Sequence, residues 1–250
     1  MSRFRHKILL LVAIISAVSA PALATDTTFV GGLGSLEASA FFGASGTDLL
    51  VILTNSSGSD VLHPSDVLTA IYFDIDGSVL SLARDSAIIG PTSAVLFGTT
   101  DPGGVVGGEW EYLSNASLTT PLGQNYVISS SGLDLAGNGG LFPGSNLQGP
   151  VSVDGLQYGI TSAGDDPDTG NAAVKGKNAL VKNEVVFKLS GLPAGFDPST
   201  SVRNVQFQYG TTNCSKKSAG KDVCVTGIPE PGTLAMLAAS AYFITRRRIR

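Results

Sequence analysis

At 250 residues the chain has room, once both ends are set aside, for one domain of about 200 residues with a sizeable hydrophobic core. A charged fraction of 14% together with 31 glycines argues against a solvated disordered chain and against long charged helices, and favours short strands joined by turns. From Thr25 to Val174 sixteen acidic residues accompany a single basic residue, Arg84, so we expect no nucleic acid partner.

The first 24 residues have the three parts of a secretory signal peptide. A basic start is followed by an apolar run at residues 8–18, and small residues, Ala22 and Ala24, follow that run. The run is shorter than a comfortable membrane span, and the small residues fit a signal peptidase. We therefore predict cleavage after Ala24; a retained N-terminal anchor is the alternative.

Residues 25–227 are predicted to form one exported all-β domain. Apolar or alternating runs of strand length recur between clusters of Gly, Asn, Asp, Ser and Pro. The predicted strands cover residues 49–54, 68–75, 94–98, 108–113, 126–130, 151–158, 184–189 and 202–209. Because no crossover helices are visible, we expect antiparallel pairing in a jelly-roll-like β-sandwich, flanked by an N-terminal signal helix and a short C-terminal transmembrane helix.

Two acidic clusters in this domain are candidate calcium sites. The first contains Asp74 and Asp76, followed by Gly77 at the end of a predicted strand, and the second contains Asp165, Asp166 and Asp168. Carboxylate oxygens are the ligands that calcium prefers, but neither cluster has the full spacing of an EF-hand. Turn formation is the alternative interpretation of both clusters, and the chain is expected to need no cofactor.

Glu109 and Glu111 flank Trp110, the only tryptophan of the chain. In a strand the two carboxylates would lie on one face, roughly 7 Å apart, with the indole on the other face. Paired carboxylates suggest glycoside hydrolysis and tryptophan suggests sugar stacking. The alternative places Trp110 in the core and both glutamates in water, and on that basis we expect no enzymatic activity.

Cys214 and Cys224 are the only cysteines, and both lie in the predicted exported part. An oxidising compartment favours a disulfide between them, and its role would be structural.

The last 23 residues, 228–250, have the organisation of a membrane-sorting tail. The triplet Pro229, Glu230 and Pro231 precedes an apolar stretch at residues 233–245, and a basic stop follows it: Arg246, Arg247, Arg248 and Arg250. As a helix this stretch would rise about 20 Å, short of the roughly 30 Å hydrocarbon core, so it would be a marginal anchor. Both basic ends are expected on the cytoplasmic side, which places the domain between them outside.

These tail residues resemble the PEP-CTERM sorting signal, in which a Pro-Glu-Pro motif, a short membrane segment and a basic end direct a protein to an exosortase. An ordinary tail anchor is the alternative. The resemblance implies that an exosortase cleaves the tail and that the product is released or transferred to the cell envelope. In that family such proteins often accompany exopolysaccharide and biofilm genes.

The sequence thus predicts an exported protein, anchored in the inner membrane before processing and later at the cell envelope surface or in the extracellular matrix. Its expected partners are signal peptidase, an exosortase, the membrane for a limited time, and exopolysaccharide. We expect a non-enzymatic structural or polysaccharide-associated component of the envelope or biofilm. The alternatives are a secreted carbohydrate-active enzyme that uses Glu109 and Glu111, and a calcium-dependent adhesive module.

Overall fold

Short β-strands make up almost all regular structure in the computed structural model of the chain. It describes residues 25–77, 80–114, 120, 122–131, 146–149, 155–211 and 223–230. The strands of these residues are β1 (Thr27–Leu33), β2 (Leu36–Ser45), β3 (Asp48–Asn55), β4 (Leu68–Ile75), β5 (Ala83–Ile89), β6 (Ala94–Leu96), β7 (Glu111–Ser114), β8 (Tyr126–Ser129), β9 (Ile160–Thr161), β10 (Leu180–Lys182), β11 (Glu184–Ser190), β12 (Val202–Tyr209), β13 (Val223–Thr226) and β14 (Ile228–Pro229). A four-residue helix, α1 (Pro198–Ser201), and a 3₁₀ turn at Pro64–Asp66 complete them.

The first two connections of the domain are tight hairpin turns. β1 and β2 are joined through Gly34, and β2 and β3 through Gly46, with the flanking residues paired directly across each turn. Both glycines have positive φ, 65° and 64°, a conformation that residues with a side chain rarely adopt. Two-residue loops that begin with such a glycine match the twist of antiparallel strands, so the local sequence specifies both hairpins.

The strands form two sheets. In the first sheet the order is β14-β1-β2-β3-β11-β5. In the second it is β13-β12-β4-β9-β10-β6, with β8 also pairing with β4, and β7 pairing with β8. Among the described residues every strand pair is antiparallel except β9 with β10, which is parallel, so the second sheet is mixed where the sequence predicted antiparallel pairing only.

Large side chains from both sheets meet in one hydrophobic cluster. The Phe42 ring of β2 packs edge-on against Phe29 of β1 at 5.8 Å between centroids, and against Phe73 of β4 in the other sheet at 5.2 Å. In the same cluster the ring of Trp110, just before β7, lies 4.9 Å from that of Phe187 of β11, measured between centroids. The strands of the first sheet that meet this cluster alternate buried and half-buried residues, as expected when one face packs inward.

The second sheet is also buried on its opposite face. Every residue of β4 is buried, and Ala70, Tyr72 and Val127 form a separate small cluster on that face. A polar network adjoins this cluster: Gln208 accepts a hydrogen bond from the Tyr72 hydroxyl and donates to the Ser131 hydroxyl at 3.1 Å. Burial of these polar groups is tolerated because they bond to each other.

Most of the predicted strands are confirmed, some with shifted ends. β4 and β12 have the predicted bounds, and β3, β6, β8 and β11 overlap their predictions closely. The strand predicted at residues 108–113 begins only at Glu111. The one predicted at 151–158 is wrong over residues 155–158, which form turns in which Tyr158 has a positive φ of 55°.

Candidate functional site

The two ends of the described chain meet at one edge of the first sheet. β14 pairs antiparallel with β1, with Phe29 opposite Pro229 and Val30 opposite Ile228. Beyond this pair the Glu230 amide donates a hydrogen bond of 2.8 Å to the Thr28 carbonyl. The first and last described residues of the domain therefore lie close together. We call this region the terminal corner; it consists of Thr25, β1 and residues 228–230.

The terminal corner includes two of the three residues of the predicted sorting motif. Ile228 and Pro229 belong to the sheet, although the sequence analysis assigned them to the tail. Proline has no N–H to donate, so it fits an edge strand such as β14. The side chains of Ile228, Pro229 and Glu230 are exposed, which leaves the start of the motif on the surface.

The remaining predicted processing residues lie outside the described part of the chain. They are Ala22, Ala24, Pro231, Arg246, Arg247, Arg248 and Arg250. The predicted signal helix and transmembrane helix lie outside it as well. Among the residues that are described, no helix has the length and apolar character to cross a bilayer.

At the N-terminal side of the corner, Thr25 is fixed by the residues around α1. The Thr25 amide donates to the Asp197 carboxylate at 3.3 Å, and the Thr25 carbonyl accepts from the Ser199 amide at 3.1 Å. Asp197 is the N-cap of α1, and its side chain also accepts from the Ser199 amide at 3.0 Å. This contact was not predicted, although Asp followed by Pro and Ser is a local signal for a helix start.

The first candidate calcium cluster is engaged in protein contacts. Asp74 is buried; one carboxylate oxygen accepts from the Asn125 amide at 2.9 Å, and the other accepts from the Asn204 side chain at 2.8 Å. Asp76 forms an ion pair with Arg203. These contacts join the ends of β4, β8 and β12, which is a structural use of both aspartates.

The second cluster joins two loops through Asp60, a carboxylate that was not among the predicted residues. Asp60 accepts from the Asp166 amide at 3.0 Å and from the Thr169 hydroxyl, and the Thr169 bond holds the pKa of Asp60 below its usual value. Asp168 contributes its amide, which donates to the Asp166 carboxylate at 3.1 Å. Aspartates that accept nearby amides in this way are typical of turns.

Asp165 differs from its neighbours in being buried. Its carboxylate accepts from the Val61 amide at 3.1 Å, and its carbonyl accepts from the Lys182 ammonium at 2.7 Å. Burial raises the pKa of Asp165, because the charged form is desolvated. Within the described ranges, no three or more His, Cys, Asp or Glu side chains are arranged to hold a metal ion.

The three side chains of the Glu109–Trp110–Glu111 segment differ in burial. Trp110 is fully buried, as the core interpretation predicted. Glu109 precedes β7 and is half-buried, whereas Glu111 is only 1% exposed. The expectation that both glutamates lie in water is therefore wrong for Glu111, because the face of the second sheet on which it lies is covered.

An open groove of about 440 Å³ lies between the start of β5 and the end of β7. Arg84, Tyr112 and Ser114 give it polar groups, and Leu82 and Leu113 give it apolar surface. The Tyr112 side chain is buried. Burial raises the pKa of Tyr112, an effect that the nearby Ser114 hydroxyl partly offsets, so this phenol stays a neutral hydrogen-bond donor.

Cys224 lies in β13 opposite Gln208 of β12 and is disulfide-bonded. Cys214, the other cysteine of the chain, lies outside the described residues. Comparisons of the chain with protein-family models, with curated proteins and with solved structures found no match.

Proposed function

We propose that the chain is an exported bacterial surface protein that is processed at both ends. In this proposal signal peptidase removes residues 1–24, and an exosortase cuts the tail that follows the Pro-Glu-Pro motif. The pairing of β14 with β1 is the observation that supports it most, because it brings the start of the motif and the start of the mature chain to one corner of the domain.

A folded domain with both ends at one corner suits a precursor attached to a membrane twice. A signal peptide before Thr25 and a membrane segment after Glu230 would both extend from the terminal corner. Both could therefore enter one bilayer while the strands of the domain stay folded. The precursor would be anchored in the inner membrane, and the mature protein would lie at the envelope surface or in the extracellular matrix. The signal helix and the short transmembrane helix belong to this proposal.

The proposed architecture of the mature part is a β-sandwich of jelly-roll-like form, with an antiparallel first sheet and a mixed second sheet. Its support is the shared hydrophobic cluster, in which Phe42 of the first sheet and Phe73 of the second are in direct contact. Such a two-layer body suits a structural component of an envelope or biofilm.

We further propose that the mature protein is not an enzyme and associates with exopolysaccharide through the groove between β5 and β7. The exposed Arg84 side chain in this groove can recognise a carboxylate-bearing sugar, since guanidinium and carboxylate form paired hydrogen bonds. Arg84 already takes part in an interaction within the protein. A guanidinium has five N–H donors, so it can also donate to an acceptor on a ligand.

The processing proposal is tested by measuring the intact mass of the exported protein in cells with and without the exosortase. The expected masses correspond to a chain that begins at Thr25 in both strains and lacks Arg246 to Arg250 only when the exosortase is present. A protein that keeps these arginines in both strains would contradict the proposal.

The polysaccharide proposal is tested on an array that contains neutral and uronic-acid glycans. We expect binding to uronic-acid glycans that weakens at least tenfold in Arg84→Gln and is unchanged in Lys177→Gln, which removes an exposed cation outside the groove. Equal binding by the two variants, or no binding by the parent protein, would refute this use of the groove.

A further inference from the structure

Thr25 is the first described residue, and its main chain is held from both sides by one short segment. Its amide donates to Asp197 Oδ1 at 3.3 Å, and its carbonyl accepts from the Ser199 amide at 3.1 Å. The bond to Asp197 joins residues 172 positions apart, so it is a tertiary contact that ties the start of the domain to the segment before β12. The Asp197 carboxylate is on the surface, within reach of a group that forms at this position.

We propose that Asp197 is the binding site for the new N-terminus that signal peptide removal creates. Hydrolysis of the Ala24–Thr25 peptide bond consumes one water and leaves a carboxyl group on Ala24 and an amine on Thr25. The amine takes up a proton at neutral pH, so a neutral amide N–H beside Asp197 becomes an ammonium group with three donors. This inference rests on the proposed cleavage after Ala24.

The charge change strengthens a contact that already has the right geometry. A hydrogen bond between an ammonium and a carboxylate is shorter and stronger than one from a neutral amide. Hydrogen bonds from Ser199, first from its hydroxyl and then from its amide, hold the pKa of Asp197 below its usual value, so the acceptor is ionised at neutral pH. Cleavage therefore converts the Thr25 amide contact into an ion pair.

The terminal corner contains two further acidic residues, and no basic residue of the described segment that follows α1 is available to compete for Asp197. Asp26 follows Thr25 directly, and Glu230 is bonded through its amide to Thr28, so both neighbours are acidic. The basic residue that follows α1, Arg203, is itself paired with Asp76. Neither acidic residue competes with the ammonium for Asp197, and Arg203 already has a carboxylate partner of its own.

The test compares two chains that start at Thr25 or at Ala24 and both end at Arg250, each with Asp197 or with Asp197→Asn. Asparagine is also a good N-cap, so the variant keeps α1 and removes the charge. We expect the chain that starts at Thr25 to melt about 1–4 °C higher than the one that starts at Ala24, as for an exposed ion pair. That difference should vanish in Asp197→Asn and persist in Asp26→Asn, the matched control.

The pH dependence gives a second readout that a purely structural cap would not produce. An ion pair raises the pKa of the Thr25 amine above the unfolded value of about 7.7–8.0. The stabilisation of the folded state by the pair is therefore complete below the unfolded pKa, and it is lost as the pH rises through the folded pKa. At acidic pH it is lost as Asp197 is protonated, below the usual aspartate range. We expect an NMR titration to show a raised pKa for the Thr25 amine that returns to about 8 in Asp197→Asn.

Equal melting temperatures for the two starting points, or an amine pKa that Asp197→Asn leaves unchanged, would overturn the inference. Neither measurement depends on processing in the cell. If sequencing of the exported protein finds an N-terminus other than Thr25, the proposed cleavage fails while the melting comparison still reports on the pair. The two failures are therefore distinguishable.

Discussion

Phe42 is the residue on which we expect the contact between the two sheets to depend most. Its side chain is 0% exposed and its ring touches Phe29 in its own sheet and Phe73 in the other. Truncation of a buried phenylalanine to alanine costs about 3–5 kcal/mol, because the lost burial adds to the cavity that remains. At about 2–4 °C for each kcal/mol in a domain of this size, Phe42→Ala should lower the melting temperature by about 6–20 °C.

The adjacent residue offers a matched control. Phe41 has the same side chain on the same strand, but its ring lies on the other face and is only half-buried. Phe41→Ala should therefore cost about 1–2 kcal/mol, since less apolar surface returns to water. Urea unfolding of both variants, followed by tryptophan fluorescence from the buried Trp110, measures the difference. Equal losses, or a loss below about 1 kcal/mol for Phe42→Ala, would refute the two-layer packing argument.

Three further predictions concern buried polar groups, one close backbone approach and alkaline pH. Tyr72→Phe removes the hydroxyl that donates to the Gln208 side-chain oxygen, and it should lower the free energy of unfolding in urea by about 1–3 kcal/mol. Tyr209→Phe is the control. It removes a hydroxyl that has no partner among the described residues, so it should cause no measurable loss of stability. Gly31→Ala would place a Cβ 2.7 Å from a carbonyl oxygen of β13 and should lower the melting temperature, while Gly58→Ala, with open space around it, should not. Burial raises the pKa of each of the five tyrosines in the described residues, so the folded state disfavours phenolate: stability should be intact below about pH 10 and fall above it. An absorbance titration that shows all these phenols ionising near pH 10 in the folded protein would contradict this last prediction.

The strands that the sequence predicted well are those whose own residues specify them. β4 is a run of apolar and β-branched residues interrupted only by Asp74, and its bounds could be predicted because polar turn residues lie on both flanks. β2 was missed although Ala38, Ala40 and Phe42 alternate inward, because alanine, serine and glycine dilute the apolar signal. β9, with two residues, has no local signal at all, since its pairing with β4 and β10 is decided by the tertiary structure.

The candidate site also combines features that the local sequence specifies with contacts that only the tertiary structure creates. The predicted sorting motif could be identified because its residues are consecutive, but the partner strand of Pro229 lies two hundred residues upstream and only the fold brings it near. Asp197 could be identified as a helix cap, yet nothing local points to Thr25. Glu111 was placed in water because alternation determines the face but not whether another segment covers that face.

The terminal corner owes its form to the way the last described strands change sheets. β13 extends the second sheet beside β12, Gly227 then donates to the Val205 carbonyl at 2.8 Å, and β14 continues on the first sheet beside β1. A Cβ at Gly31 would meet Thr226, so the crossing segment lies directly against β1. A cut that follows Glu230 would leave every described strand pair intact, including β14 with β1. A cut before Ile228 would instead uncover the edge of β1, and exposed strand edges promote association. If the chain is cut in this region, as proposed, the place of the cut relative to β14 would decide whether the domain keeps a protected edge.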